Sequence, residues 1–197
     1  MPFANLRSFV YTWLMPSRLR RFRYAVASLL LLVLCVWSIA FAQRQPAAPP
    51  EIAVYFSPKG GCTDAIVKEI NAARSELKVQ AYSFTSTAIA SAIAQAHDRG
   101  VKVTVILDRS QRTEKYSGAT YLFDHHIPTF IDAKHAIAHN KVMIIDGATV
   151  LTGSFNFTQQ AENENAENLL VIHSPDLAGR YLGNFDAHLK HAEVYKR

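Results

Sequence analysis

The residues that could do chemistry are concentrated in one stretch, His139-Asn140-Lys141-Val142-Met143-Ile144-Ile145-Asp146. An imidazole stands two positions from an ammonium, and on a strand side chains two apart share a face. Residues 149–154 read as a second strand, and Asp146-Gly147 between the two is a strong hairpin signal. A two-residue loop is expected, centred on 146–147 or on 147–148. His139 then lies opposite Ser154 or Asn156, and Lys141 opposite Thr152 or Ser154. A nucleophile or base, a fixed cation and two neutral hydrogen-bonding groups would converge on one side of the hairpin. That set is a good receptor for a tetrahedral phosphate anion. Asp146 falls at the turn, where it is expected to brace the loop. Glu167 opens a further apolar strand and needs a partner. The second ring nitrogen of His139 is the natural one, which a carboxylate would orient and make more basic.

The elements that must position these groups follow from periodicity. Residues 52–56 suggest a strand closed by Ser57-Pro58-Lys59-Gly60-Gly61, and a helical pattern starts at Thr63. Residues 77–84 alternate at period two, residues 87–99 return to helical spacing and stop at Gly100, and residues 101–107 form a buried strand. This β-α-β-α-β order argues for an α/β domain with a parallel section. A polar loop over 108–119, a short helix near 119–125 and a strand near 128–131 lead into the hairpin. Tyr55, Phe56, Tyr82 and Phe84 are expected mostly in the core, with Tyr82 or Ser83 able to reach the cleft.

The chain of 197 residues has a formal charge of +5, but residues 1–42 hold five arginines and no acid. Sixteen basic and sixteen acidic residues remain beyond Ala42, so global charge offers no argument for nucleic-acid binding. Residues 25–42 are uncharged, follow the basic Arg18-Leu19-Arg20-Arg21-Phe22-Arg23 and end in Ala40-Phe41-Ala42. Their length fits a membrane span, and their ending fits a signal-peptidase site. Cleaved signal and retained anchor both place everything beyond residue 42 across the membrane. The organisation expected is a leader over 1–42, a short extended linker over 43–50 and one folded domain over 51–197. Of the two cysteines, Cys35 falls in the apolar run, and Cys62 is expected to be a quiet, partly buried thiol.

Together the residues spell His-x-Lys-x4-Asp-x6-Gly-Ser-x-Asn, which resembles the signature of the phospholipase D superfamily. The resemblance is to its single-motif members, the small, exported, Nuc-like bacterial EDTA-resistant endonucleases. It extends through Tyr55-Phe56-Ser57-Pro58, residues 81–85, residues 152–158 and Asn165-Ala166-Glu167-Asn168. It implies a mixed β-sheet flanked by helices, with His139, Lys141, Asp146 and Glu167 as catalytic residues. Lys141, Ser154 and Asn156 would bind the phosphate, with no metal and no cofactor. His139 would attack phosphorus, and His139 of a second chain would protonate the leaving oxygen, so the resemblance implies a homodimer with a shared site. The implied product of this gene is a periplasmic or secreted enzyme, or one anchored in the inner membrane through residues 25–42. Its expected substrate is DNA and, by the same chemistry, RNA. A phospholipase D or cardiolipin-type hydrolase is the first alternative, and a non-catalytic, membrane-tethered nucleic-acid-binding dimer the second.

The remaining histidines invite a metal reading. His135 and His139 have i, i+4 spacing, but that makes a site only on a helix, and Ile137-Ala138 enters a strand. His135 and His125-His126 are therefore expected at loops or rims, and His97, His173, His188 and His191 at the surface or satisfied. Asn163-Glu164-Asn165 reads as a solvated loop.

Overall fold

A computed structural model describes residues 17–42, 49–114 and 117–196. The chain divides into two compact units, residues 1–49 and residues 50–197. Among the described residues of the first is a helix α1 (Ser17–Ala42) of 26 residues, long enough at 1.5 Å per residue to cross a bilayer. Its segment Arg21–Ser38 has mean hydropathy 1.5 and is not covered by protein. Most of the expected linker, and the leader before Ser17, lie outside the described residues.

The second unit is built on one eight-stranded sheet: β1 (Glu51–Ser57), β2 (Glu76–Ala81), β3 (Lys102–Asp108), β4 (Thr129–Asp132), β5 (Lys141–Ile145), β6 (Thr149–Gly153), β7 (Glu167–His173) and β8 (Glu193–Val194). The strand order is β1-β7-β6-β5-β2-β3-β4-β8. Its helices are α2 (Cys62–Ala72), α3 (Thr87–Asp98), α4 (Gly118–Asp124), α5 (Gln159–Asn163) and α6 (Pro175–Leu189), with a 3-10 turn at Arg109–Arg112. The fold is therefore the expected mixed α/β sheet flanked by helices. Caps fix the helix starts: Ser86 Oγ accepts from Ile89 N at 3.4 Å, and Ser174 Oγ accepts from Leu177 N ahead of α6, with Pro175 in its first turn.

Among the described strands, parallel pairing is confined to β2-β3-β4, with one isolated parallel bridge between Phe84 and Phe157. The first strand does not join it, contrary to what the β-α-β-α-β order suggests. Instead β1 lies at the far edge, antiparallel to β7 and in register from Glu51↔His173 to Ser57↔Glu167. The position beside β2 that β1 would have taken is occupied by β5. Residues 159–163 form the short helix α5, so Asn163 belongs to a helix end rather than to a solvated loop.

The sheet's two faces are covered unequally. On one, Ile66, Ile70, Ile89 and Ile93 from α2 and α3 pack with Leu77, Val79, Val105, Met143, Leu151 and Leu169 in one continuous core. On the other, Ala178 and Phe185 of α6 pack on Ile106, Val142, Ile144 and Val150. That single helix contacts β4, β5 and β6. On β1, Ile52, Val54 and Phe56 remain 56%, 52% and 63% exposed. Phe56 is thus not a core residue; alternation sends Ala53 and Tyr55 to the helix-covered face instead.

Candidate active site

The hairpin forms where expected, but its loop is one residue longer. Ile145 pairs with Thr149 and Val142 with Thr152, leaving Asp146, Gly147 and Ala148 unpaired. The turn is centred on Asp146 and Gly147, with φ of 52° and 62°, the signs a type I′ turn requires. Ala148 N donates to Ile145 O at 3.0 Å. The register that follows places Lys141 level with Gly153, not with Thr152 or Ser154.

A bulge then compensates. Ser154 N and Phe155 N both donate to Asn168 O at 3.1 Å, so two residues of one strand face one residue of its neighbour. Gly153, just before it, adopts φ 150°, and a Cβ there would run into the Asn168 backbone carbonyl. Only glycine fits that close approach. The extra residue resets the alternation, so that Phe155 and Phe157 are buried in the core while Asn156 lines the cleft.

The cleft, with a volume of about 430 Å³, brings together His139, Lys141, Ser154, Asn156 and Glu167, with Tyr181 of α6 on its wall. His139 is exposed, in the loop just before β5. The Tyr82 ring supports it, with centroids 4.5 Å apart, and the Lys141 ammonium lies 5.0 Å from the centre of the same ring. Tyr82, just past the end of β2, is thus the aromatic that reaches the site. Lys141 is 7% exposed, and its Nζ donates to His139 O at 2.7 Å. Burial pulls the Lys141 pKa below its ordinary value, while nearby Glu167 opposes the shift. A largely buried cation that lines the cleft is well suited to an anionic ligand. The Asn156 Oδ1 is buried with no hydrogen-bond partner, a cost that a ligand or water would offset.

Two expected roles differ in detail. Glu167 borders the cleft, but its Oε1 accepts from Asn165 Nδ2 at 3.2 Å instead of holding the His139 ring. Ser154 Oγ accepts from Asn168 N at 3.1 Å and Nδ2 at 3.3 Å, which fixes the bulge.

Asp146 does not line the cleft; it sits in the turn. Its carboxylate accepts from Arg74 N (3.0 Å), Ser75 N (2.8 Å), Ser75 Oγ (2.7 Å) and Glu76 N (2.9 Å). Partial burial disfavours the charge, but these donors outweigh it and hold the pKa at about 2. The carboxylate ties the hairpin tip to the start of β2. Cys62 is fully buried, and burial, aided by Glu162, pushes its thiol up to about 11. That thiol is unreactive at neutral pH.

A second group of polar residues escaped the sequence reading. His135, His188 and His191, expected at a loop rim or the surface, gather round Asp132 at the end of β4. Asp132 is fully buried. Its Oδ2 lies 3.1 Å from His135 Nδ1 and 2.7 Å from His188 Nδ1, and its Oδ1 lies 3.3 Å from His191 Nε2. Burial opposes its ionisation, but the histidines and the Lys134 N–H prevail and hold its pKa at about 2. The available signal was the paired spacing Asp132-x-x-His135 and His188-x-x-His191, each spanning about one helical turn.

Comparison with known proteins agrees with this architecture. The family profile described as "Cardiolipin synthase, PLD-like domain" matches residues 66–189. A phospholipase D of Rickettsia conorii is 42% identical over 135 residues, covering 68% of each chain. The mouse mitochondrial cardiolipin hydrolase is 28% identical over 154 residues, covering 78% of this chain and 70% of the relative. Among solved structures, the phospholipase D family member Nuc of Salmonella typhimurium superposes with a TM-score of 0.73 and 35% identity. The match takes in 76% of this chain and all of Nuc. NucT of Helicobacter pylori superposes with a TM-score of 0.70 and 26% identity, over 75% of this chain and all of NucT. The chain belongs to the phospholipase D superfamily and is a phosphodiester hydrolase.

Proposed function

We propose that this hydrolase is an exported, sequence-nonspecific endonuclease, cleaving DNA and, by the same chemistry, RNA through a phosphohistidine intermediate. The reading rests on the cleft, which holds one imidazole beside one buried ammonium. The likeness to Nuc and NucT over their whole lengths supports the nucleic-acid substrate. Localisation beyond the membrane rests on the apolar helix α1, whether it is cleaved or retained.

A ring nitrogen of His139 attacks phosphorus, a P–N bond forms and the P–O bond to the leaving sugar oxygen breaks. That oxygen needs a proton, and one chain's cleft contains one histidine. His139 of a second copy supplies it, then activates the water that hydrolyses the P–N bond and returns the first imidazole. Two Lys141 ammoniums, with Asn156 and Ser154, neutralise the non-bridging oxygens in place of a divalent cation. Glu167, which lines the same cleft, balances the lysine charge. The exposed stripe Ile52, Val54 and Phe56 shares a sheet face with cleft-lining Val142 and Thr152. A dimer closing over that face would bury the stripe and join the two half-sites.

A lipid substrate is the second reading, favoured by the Rickettsia relatives named phospholipase D and by the apolar helix. To decide, the full chain in detergent is incubated with single- and double-stranded DNA, RNA and cardiolipin vesicles in excess EDTA, beside His139→Ala. Circular dichroism is recorded under the same conditions. Nucleic-acid cleavage by the folded protein in EDTA, lost in the variant, is the expected result. Lipid turnover without nucleic-acid cleavage would replace the substrate assignment, and loss of cleavage in EDTA by a still-folded protein would overturn the metal-free mechanism.

A further inference from the structure

We propose that Asp132, His135, His188 and His191 form a binding site for a divalent transition metal of the zinc class, separate from the cleft. The four residues offer one ligand atom each, all within 4.8 Å of one another. Three imidazoles and one carboxylate are the donor types that zinc takes in four-coordinate sites. With metal–ligand bonds of about 2.0 Å, the edge of a tetrahedron is about 3.3 Å. The carboxylate-to-imidazole separations of 2.7, 3.1 and 3.3 Å already approach that edge.

A carboxylate serving three imidazoles as a simple hydrogen-bond hub accounts for this cluster less well. His191 Nε2 is buried and meets Asp132 Oδ1 at 3.3 Å, in a direction that makes at best a weak hydrogen bond. A buried imidazole nitrogen so poorly satisfied is costly, and a metal would take its lone pair. The His135 side chain is 44% exposed while those of His188 and His191 are 14% and 23% exposed. The ion therefore has a path in through His135 and a largely enclosed seat behind it.

The location gives the site a purpose. Asp132 ends β4, and His135 lies in the loop of residues 133–140 that delivers His139 to the cleft. His188 and His191 lie at and just beyond the end of α6, the helix whose Tyr181 walls the cleft. A metal bound to all four would clip that loop to that helix. The metal stabilises the scaffold and takes no part in bond breaking, so activity in EDTA and metal binding are independent questions.

The full chain, purified in detergent without a polyhistidine tag and stripped with chelator, is dialysed against zinc chloride. Bound metal is measured by atomic emission. About one zinc per chain is expected, with a rise in Tm of about 5 °C. Cobalt chloride should give the strong visible absorption of tetrahedral Co²⁺. The double variant His188→Ala/His191→Ala should bind none, and the His125→Gln/His126→Gln control should bind as the parent does. Because the double variant could fail to fold, the half-exposed His135→Gln is the companion test. It should keep the parent circular dichroism and bind zinc at least about tenfold more weakly, as loss of one ligand demands. Less than about 0.1 zinc per chain in the parent, or unchanged affinity in His135→Gln, overturns the proposal.

Discussion

The two faces of the sheet are finished to different degrees. One carries α2 and α3 over an unbroken apolar core, with residues such as Ile66, Ile70, Ile89 and Ile93 completely buried. The other carries α6 over β4, β5 and β6 and leaves Ile52, Val54 and Phe56 of β1 bare. The cleft-lining Val142 and Thr152 share that less covered face. Exposed aliphatic and aromatic side chains on a sheet face that borders the cleft are what the proposed dimer would cover. The covered face supports the fold, and the cleft lies at the end of the sheet. There Lys141 and Glu167 alternate onto the covered face, while Val142, Thr152 and Tyr181 border the cleft from the open one.

This contrast can be broken by substitution on either side. The largest effect should come from His139→Ala in the cleft, which would remove both nucleophile and proton donor from the proposed symmetric pair. Turnover should fall by about 10⁵-fold, with Tm unchanged because His139 is exposed. Measurable turnover within tenfold of the parent would remove His139 from the chemistry. Next, Val54→Asp/Phe56→Asp should give a folded monomer in analytical ultracentrifugation, with activity reduced by about 10²-fold or more at sub-micromolar concentration. An active monomer would mean that the stripe has another use.

The smallest effect on chemistry, though not on stability, belongs to Asp146. Replacement by Asn removes a charge held by three backbone N–H donors and one hydroxyl. Unfolding by urea should show a loss of about 2 kcal/mol. Turnover per folded molecule should stay within about threefold. Because the folded pKa is depressed from 3.8 to about 2, this stabilisation is present above about pH 4. It is lost as the pH falls toward 2, where parent and variant should converge. If Asp146→Asn leaves stability intact but stops turnover, Asp146 belongs to the site after all.

The legible parts of the molecule were those governed by local pattern. Alternation and helical spacing located α3, β3, β5, β6 and β7 within a residue or two. They also located the start of β2, which ends at Ala81, three residues short of the expected Phe84. Motif spacing picked out His139, Lys141, Ser154, Asn156 and Glu167 of the cleft. The expected loop length was wrong by one residue, which would have turned Asn156 away from Lys141. The bulge at Ser154 and Phe155 corrected it. The clue was Gly153, whose backbone approach to Asn168 no other residue allows. Long-range partners were not legible. Nothing local in β1 says that it pairs with β7, more than a hundred residues later, and nothing in His188 points to Asp132, 56 positions earlier. Such pairings depend on which apolar faces meet in three dimensions, information that is spread over the whole chain.

The central claim, that one chain provides half of a site, has a direct measurement. His139→Ala subunits are mixed with parent subunits in varying ratio, exchanged to equilibrium, and assayed for DNA cleavage at constant total protein. If one histidine attacks and the other protonates the leaving group, mixed dimers are inactive and activity falls as the square of the parent fraction. Activity that falls linearly would show that each chain works alone and would contradict the shared site.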